Sequence, residues 1–121
     1  MDKIKPDWII QYVYPDDEDG LPLVDCHSHG LDKYDRELQL VLPLQADTAG
    51  LIINIIGCMI KEGRRLKDGE IITDALENEE PIRIKKIGEQ FRLIFRDPEG
   101  RWPEDEGCIS PYCFQEKPFK L

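Results

Sequence analysis

The sequence predicts an α+β fold, in which residues 1–121 form one domain with a mostly antiparallel sheet of about five strands packed against one main helix. Three observations predict it. Short runs rich in β-branched and aromatic residues recur on either side of the middle of the chain. One stretch, 47–62, repeats apolar residues at helical spacing. Near residue 88 two alternating segments flank a two-residue loop that begins with glycine, the signature of a hairpin.

The elements follow in order. Trp8 to Tyr14 reads as the first strand. Pro15-Asp16-Asp17-Glu18-Asp19-Gly20 is an acidic turn, and its spacing does not match the helix–loop–helix calcium motif, so a solvated loop is expected. Leu23 to His29 is the second strand. Glu37 to Leu42 is the third, with Leu38, Leu40 and Leu42 on one face, and Pro43 ends it. Asp47 or Thr48 caps a helix running to Glu62. Its expected apolar stripe is Leu51, Ile52, Ile55, Ile56, Met59 and Ile60. Gly63 stands where a left-handed C-terminal cap belongs. Lys61, Arg64 and Arg65 then lie at the negative end of the helix dipole, where capping explains them better than an anion site does.

After the Asp68-Gly69 turn, Ile71 to Leu76 reads as a short helix or an irregular piece. Pro81 to Ile87 and Gln90 to Arg96 flank Gly88-Glu89, whose leading glycine suits a type II′ turn. That register pairs Ile84 with Leu93 and Ile82 with Phe95. It also sets Lys85 opposite Arg92, an unfavourable pair that calls for a nearby carboxylate, expected from Glu104-Asp105-Glu106. Asp97-Pro98-Glu99-Gly100 has the residues of a type I turn. The remainder, 101–121, is mostly loop, with Trp102, Tyr112, Phe114 and Phe119 packing onto the sheet.

Composition narrows the function. A chain of 121 residues, 40% hydrophobic and 34% charged, is one globular domain with a heavily charged surface. Its net charge of −9 argues against nonspecific binding to nucleic acid or to anionic membrane, and it suits a basic protein partner. The N-terminus Met1-Asp2-Lys3-Ile4-Lys5-Pro6 has no apolar leader, and Ala49 to Ile60 is too short to span a bilayer. A cytoplasmic protein is expected. Its four cysteines are then free thiols or metal ligands rather than disulfides.

Both histidines fall in Cys26-His27-Ser28-His29. On a strand, Asp25, His27 and His29 share one face, about 6.6 Å apart at the backbone, while Val24, Cys26 and Ser28 share the other. Two imidazoles on one face can bind a zinc ion, with Asp25 as a third ligand or orienting a ring from behind. Cys108 and Cys113, with four residues between them, also have ligand spacing. The set His27, His29, Cys108 and Cys113 would be a closed structural site. The set His27, His29 and Asp25 would leave room for a reactive water. The plain alternative is that the strand residues are simply its polar face and the cysteines are small loop residues. No cofactor is required on that alternative.

Thiol chemistry has less support. Strand alternation separates Cys26 from His27, so Cys26 and Ser28 lack a base. Cys108 or Cys113 meets a histidine only if the tail folds over the sheet. Cys58 belongs to the apolar side of the helix. Phosphate-loop, nucleophile-elbow and dinucleotide motifs are absent.

The order of landmarks resembles an uncharacterised bacterial family, the domain of unknown function numbered forty-two sixty-two. The resemblance runs through Trp8, His27-Ser28-His29-Gly30-Leu31, Glu37-Leu38, the helix ending at Gly63 and Lys67-Asp68-Gly69-Glu70. It continues in Asp97-Pro98-Glu99-Gly100-Arg101-Trp102-Pro103 and Gln115. It implies a compact α+β domain and no established activity. Two expectations therefore stand side by side. The preferred one is a small non-catalytic binding domain that meets a basic protein. The alternative is a zinc-dependent hydrolase centred on His27 and His29.

Overall fold

The computed structural model describes residues 6–13 and 23–116. The acidic segment Pro15 to Gly20 and Phe119 lie outside these. The described residues form one helix and one mixed, mostly antiparallel sheet. The strands are β1 (Ile9–Val13), β2 (Asp25–His29), β3 (Glu37–Leu40), β4 (Ile71–Ile72), β5 (Ile82–Ile87) and β6 (Gln90–Phe95), with helix α1 (Ala46–Lys61) between β3 and β4. The sheet order is β1-β2-β3-β6-β5-β4. Every pairing is antiparallel except β3 with β6, which are joined by a long connection through α1.

The count is six strands where the sequence suggested about five. The extra one is the two-residue β4, in the segment read as a short helix or an irregular piece. Ile72 there is buried opposite Ile82, and pairing with the edge of β5 overrides weak local propensity.

The predicted hairpin has the expected register, with Ile82 opposite Phe95, Ile84 opposite Leu93 and Lys85 opposite Arg92. Gly88 has φ 63° and Glu89 does not share a positive φ, as a type II′ turn requires. A carboxylate does approach this pair: Glu116 lies 3.8 Å from Lys85 and acts on Arg92, while Glu104, the expected source, bonds Arg83 at 2.7 Å and acts on Lys85 only electrostatically. Arg92 is buried and turns inward.

Helix α1 begins at Ala46, before Asp47 and Thr48, and Gln45 precedes it without a side-chain cap. It ends as expected, because Gly63 has φ 119° and donates to Ile60 O while Arg64 donates to Met59 O. Arg65 donates to the Ile60 carbonyl at 3.0 Å, which bears out the capping role for this residue, while Lys61 pairs with Asp7 and Arg64 with Glu70 and Asp74.

The buried stripe is Ala49, Ile52, Ile53, Ile56, Gly57 and Ile60, rotated from the predicted one, and Leu51 is 60% exposed. The reason is steric. The helix turns its small residues inward, and a Cβ on Gly57 would lie 2.5 Å from Trp8 Cζ2. The Trp8 indole therefore lies flush on the helix and donates to Asn54 Oδ1 at 2.9 Å. Helix and sheet enclose a core that includes Leu38, Leu40, Ile53, Ile56, Ile84 and Leu93. Among the described residues, no helix is long and apolar enough to cross a membrane.

Candidate functional site

The opposite face of the sheet carries the chemistry. Strand pairing places Gln11, His27, Gln39, Arg92 and Lys85 level with one another across β1, β2, β3, β6 and β5. Alternation gives these residues one face in common, and Asp25 and His29 join them from positions two residues away along β2. The polar rung is largely dry, since Asp25, His27, Gln39 and Arg92 are all buried. A buried polar group must find a hydrogen-bond partner, and these find one another.

Asp25 Oδ1 accepts from Gln39 Nε2 at 2.8 Å and lies 2.9 Å from His27 Nδ1. A carboxylate oxygen in this role accepts, so His27 carries its proton on Nδ1 and turns the bare Nε2 outward. Gln39 Oε1 accepts from Arg92 Nε at 2.8 Å, and Arg92 NH1 donates to Gln115 O at 2.8 Å. Gln115 in turn uses both ends of its amide on Phe95, accepting from N at 2.8 Å and donating to O at 2.7 Å. Burial pushes the Arg92 guanidinium down to about 10, against the opposing pull of Asp25 and Glu116.

At the other end of the rung, His27 Nε2 lies 3.0 Å from His29 Nε2, which lies 2.8 Å from Gln11 Oε1. His29 reaches solvent, so the rung runs from a buried cation to an exposed imidazole. One oxygen of the rung has no hydrogen-bond partner among the described residues, the buried Asp25 Oδ2.

The structure thus brings Asp25, His27 and His29 together on one face, with Asp25 behind the His27 ring. Cys108 and Cys113 lie in the loop after β6, where Cys108 Sγ is 3.7 Å from Arg101 O and Cys113 N bonds Ile109 O. Among the described residues, no group of three or more His, Cys, Asp or Glu side chains is placed to hold a metal ion. Cys26 faces the core, fully buried, and burial together with the charge of Asp25 pushes its thiol up to about 11. It is no nucleophile at neutral pH.

Gln11, Gln39, Arg92 and Gln115 were not singled out for this site by sequence reasoning. The parity of each strand could have placed the first three on the histidine face, but only the register shows that they stand level. Glu37 was missed as well. It accepts from Ser28 Oγ at 2.7 Å and from the backbone N–H of Gly30 and Leu31 at 2.9 and 3.0 Å, fixing the turn after β2.

Among the described residues two clefts are lined by named side chains. A cavity of about 420 Å³ is lined by residues that include Leu42, Phe95, Asp97 and Tyr112, and another is lined by Asp32, Asp35, Arg36, Glu37 and Glu89. Neither contains the ring of His27 or His29. No family model matches this chain, and no curated protein or solved structure matches it.

Proposed function

We propose that this chain is a small non-catalytic binding domain that meets a basic protein partner through its carboxylate-rich surface. One observation carries the reading. Arg83, Arg64 and Arg96 are held by Glu104, Asp74 and Glu80, and Glu77, Glu79, Glu99 and Glu106 stay exposed with no ion pair among the described residues; Arg65, Lys67 and Lys86 are exposed in the same way, but the net charge of −9 leaves the acidic groups in excess. The surplus charge is therefore presented outward, where it steers and orients an oppositely charged partner. Membership of the domain-of-unknown-function family forty-two sixty-two is proposed with it, on the short motifs from Trp8 to Gln115.

The test is affinity capture from the source cell followed by reconstitution with the purified partner. The expected partner is basic, binds more weakly as salt rises, and is lost when Glu99 and Glu106 are both replaced by Lys. A reconstituted complex indifferent to salt and to that double replacement would overturn the reading.

A second reading is a metal-dependent hydrolase centred on His27 and His29. The approach of His27 Nε2 to His29 Nε2 at 3.0 Å, with Asp25 on the far side of the His27 ring, supports it. It requires an ion with an open coordination position, and hydrolysis of ester or amide substrates that stops on chelation.

A further inference from the structure

We propose that His27 Nε2, His29 Nε2 and Gln11 Oε1 bind a single transition-metal ion of the zinc class, with Asp25 holding the His27 ring from behind. The inference is independent of the binding-domain reading, and the hydrolase reading would require it.

The first argument counts protons. Asp25 Oδ1 accepts from Gln39, so the His27 proton belongs on Nδ1 and Nε2 offers a lone pair. His29 Nε2 faces that lone pair at 3.0 Å and Gln11 Oε1 at 2.8 Å. A neutral His29 has one N–H to give in this direction, and two acceptors compete for it. A cation on the same spot satisfies all three, because each atom then donates a lone pair.

The second argument is angular. A collinear N–H···N bond with the nitrogens 3.0 Å apart would hold the ring centres about 5.3 Å apart. The centres are 4.6 Å apart and the rings stand at 77° to each other, so the contact departs from a linear hydrogen bond at one ring or both.

The third argument is the support behind the site. Metal-bound imidazoles donate their other N–H to a carboxylate, which is itself held by hydrogen bonds. His27 has that carboxylate in Asp25, Asp25 has Gln39, and Gln39 has the buried Arg92. The unpartnered and buried Asp25 Oδ2 keeps negative charge close behind the site. The two imidazole ligands suit zinc, cobalt(II), nickel or copper rather than magnesium or calcium. Three protein donors would leave a coordination position for water.

The test is titration of the purified chain with cobalt(II) alone, then with zinc alone against a chromophoric chelator. One equivalent of cobalt(II) should give the visible absorption of a four- or five-coordinate nitrogen and oxygen site, without a thiolate band. His29→Ala changes an exposed side chain and should abolish that signal with the far-UV spectrum intact. Asp25→Asn should weaken zinc binding about 10- to 100-fold. Gln11→Glu should tighten it, and the Cys108→Ser/Cys113→Ser variant should bind as the wild type does. The proposal is overturned if the wild type takes up no ion, if His29→Ala binds unchanged, or if the double serine variant loses binding. Ion uptake without any hydrolysis would uphold this site and remove the hydrolase reading.

Discussion

Asp25 and Arg92, each 1% exposed, are linked through the amide of Gln39 rather than by a direct salt bridge. The amide serves each charge with the end it needs, N–H for the carboxylate and C=O for the guanidinium. Two ions taken out of water are costly unless their hydrogen bonds are complete. Gln39→Leu keeps the size of the side chain and removes both bonds. It should destabilise the protein by about 2–4 kcal/mol in urea unfolding, since Arg92 Nε loses its acceptor while Asp25 Oδ1 is left with His27 alone. A loss below about 1 kcal/mol would mean that water fills the gap and that the rung is not a dry unit.

Gly57 and Trp8 support a second prediction. A Cβ on Gly57 would sit 2.5 Å from Trp8 Cζ2, closer than such atoms come. Gly57→Ala gains up to about 1 kcal/mol of helix propensity and yet should lose about 1–3 kcal/mol overall through overpacking. Combining it with Trp8→Leu should recover part of the loss, and a thermal-unfolding double-mutant cycle reads the coupling directly. Additive effects would show that the indole and the helix do not press on each other.

The four thiols should separate by reactivity. Cys26 is fully buried in the core with its thiol pushed up to about 11, while Cys58, Cys108 and Cys113 are partly exposed. Iodoacetamide at neutral pH with mass mapping should label Cys26 last, and only as the protein unfolds. Early labelling of Cys26 would restore the thiol-nucleophile reading that strand alternation argues against.

What was legible in the sequence is what local pattern controls. Gly88-Glu89 specified the β5–β6 register because turn type and strand pairing are one geometric problem. Gly63 specified the end of α1 because left-handed backbone suits glycine. Asp25, His27 and His29 were placed on one face because a strand alternates strictly. The rest depends on contacts far apart in sequence. The level row of Gln11, His27, Gln39 and Arg92 exists only once β3 lies parallel to β6, a pairing no local signal announces. The rotation of α1 was misjudged because Leu51 is more apolar than Gly57, yet close approach to Trp8 selects the smaller residue. Glu116 rather than Glu104 makes the close contact to Lys85, because a loop's path is not coded in spacing. Glu104 pairs with Arg83, which also lies over the Trp102 ring at 4.3 Å.

Glu37 gives the clearest pH signature. Burial alone would raise its carboxyl, but the Ser28 hydroxyl and the N–H groups of Gly30, Leu31 and Asp32 outweigh that and hold it below the usual range. The sign follows from proton linkage. A carboxyl whose pKa is lower in the folded state contributes stability above its unfolded value, about 4.3, and that stability drains away as pH falls through the folded value. Glu37→Gln leaves a single acceptor oxygen for donors that the carboxylate shares between two. At neutral pH it should cost about 1–3 kcal/mol in urea unfolding, and the gap between wild type and variant should narrow steadily below pH of about 4 as the wild-type carboxyl protonates. Ser28→Ala should remove part of the same pH-dependent gap, because its hydroxyl is one of the bonds that stabilise the charged form. A gap that stays constant into acid would mean that the N–H groups at 30–32 are served by the shape of the side chain and not by its charge.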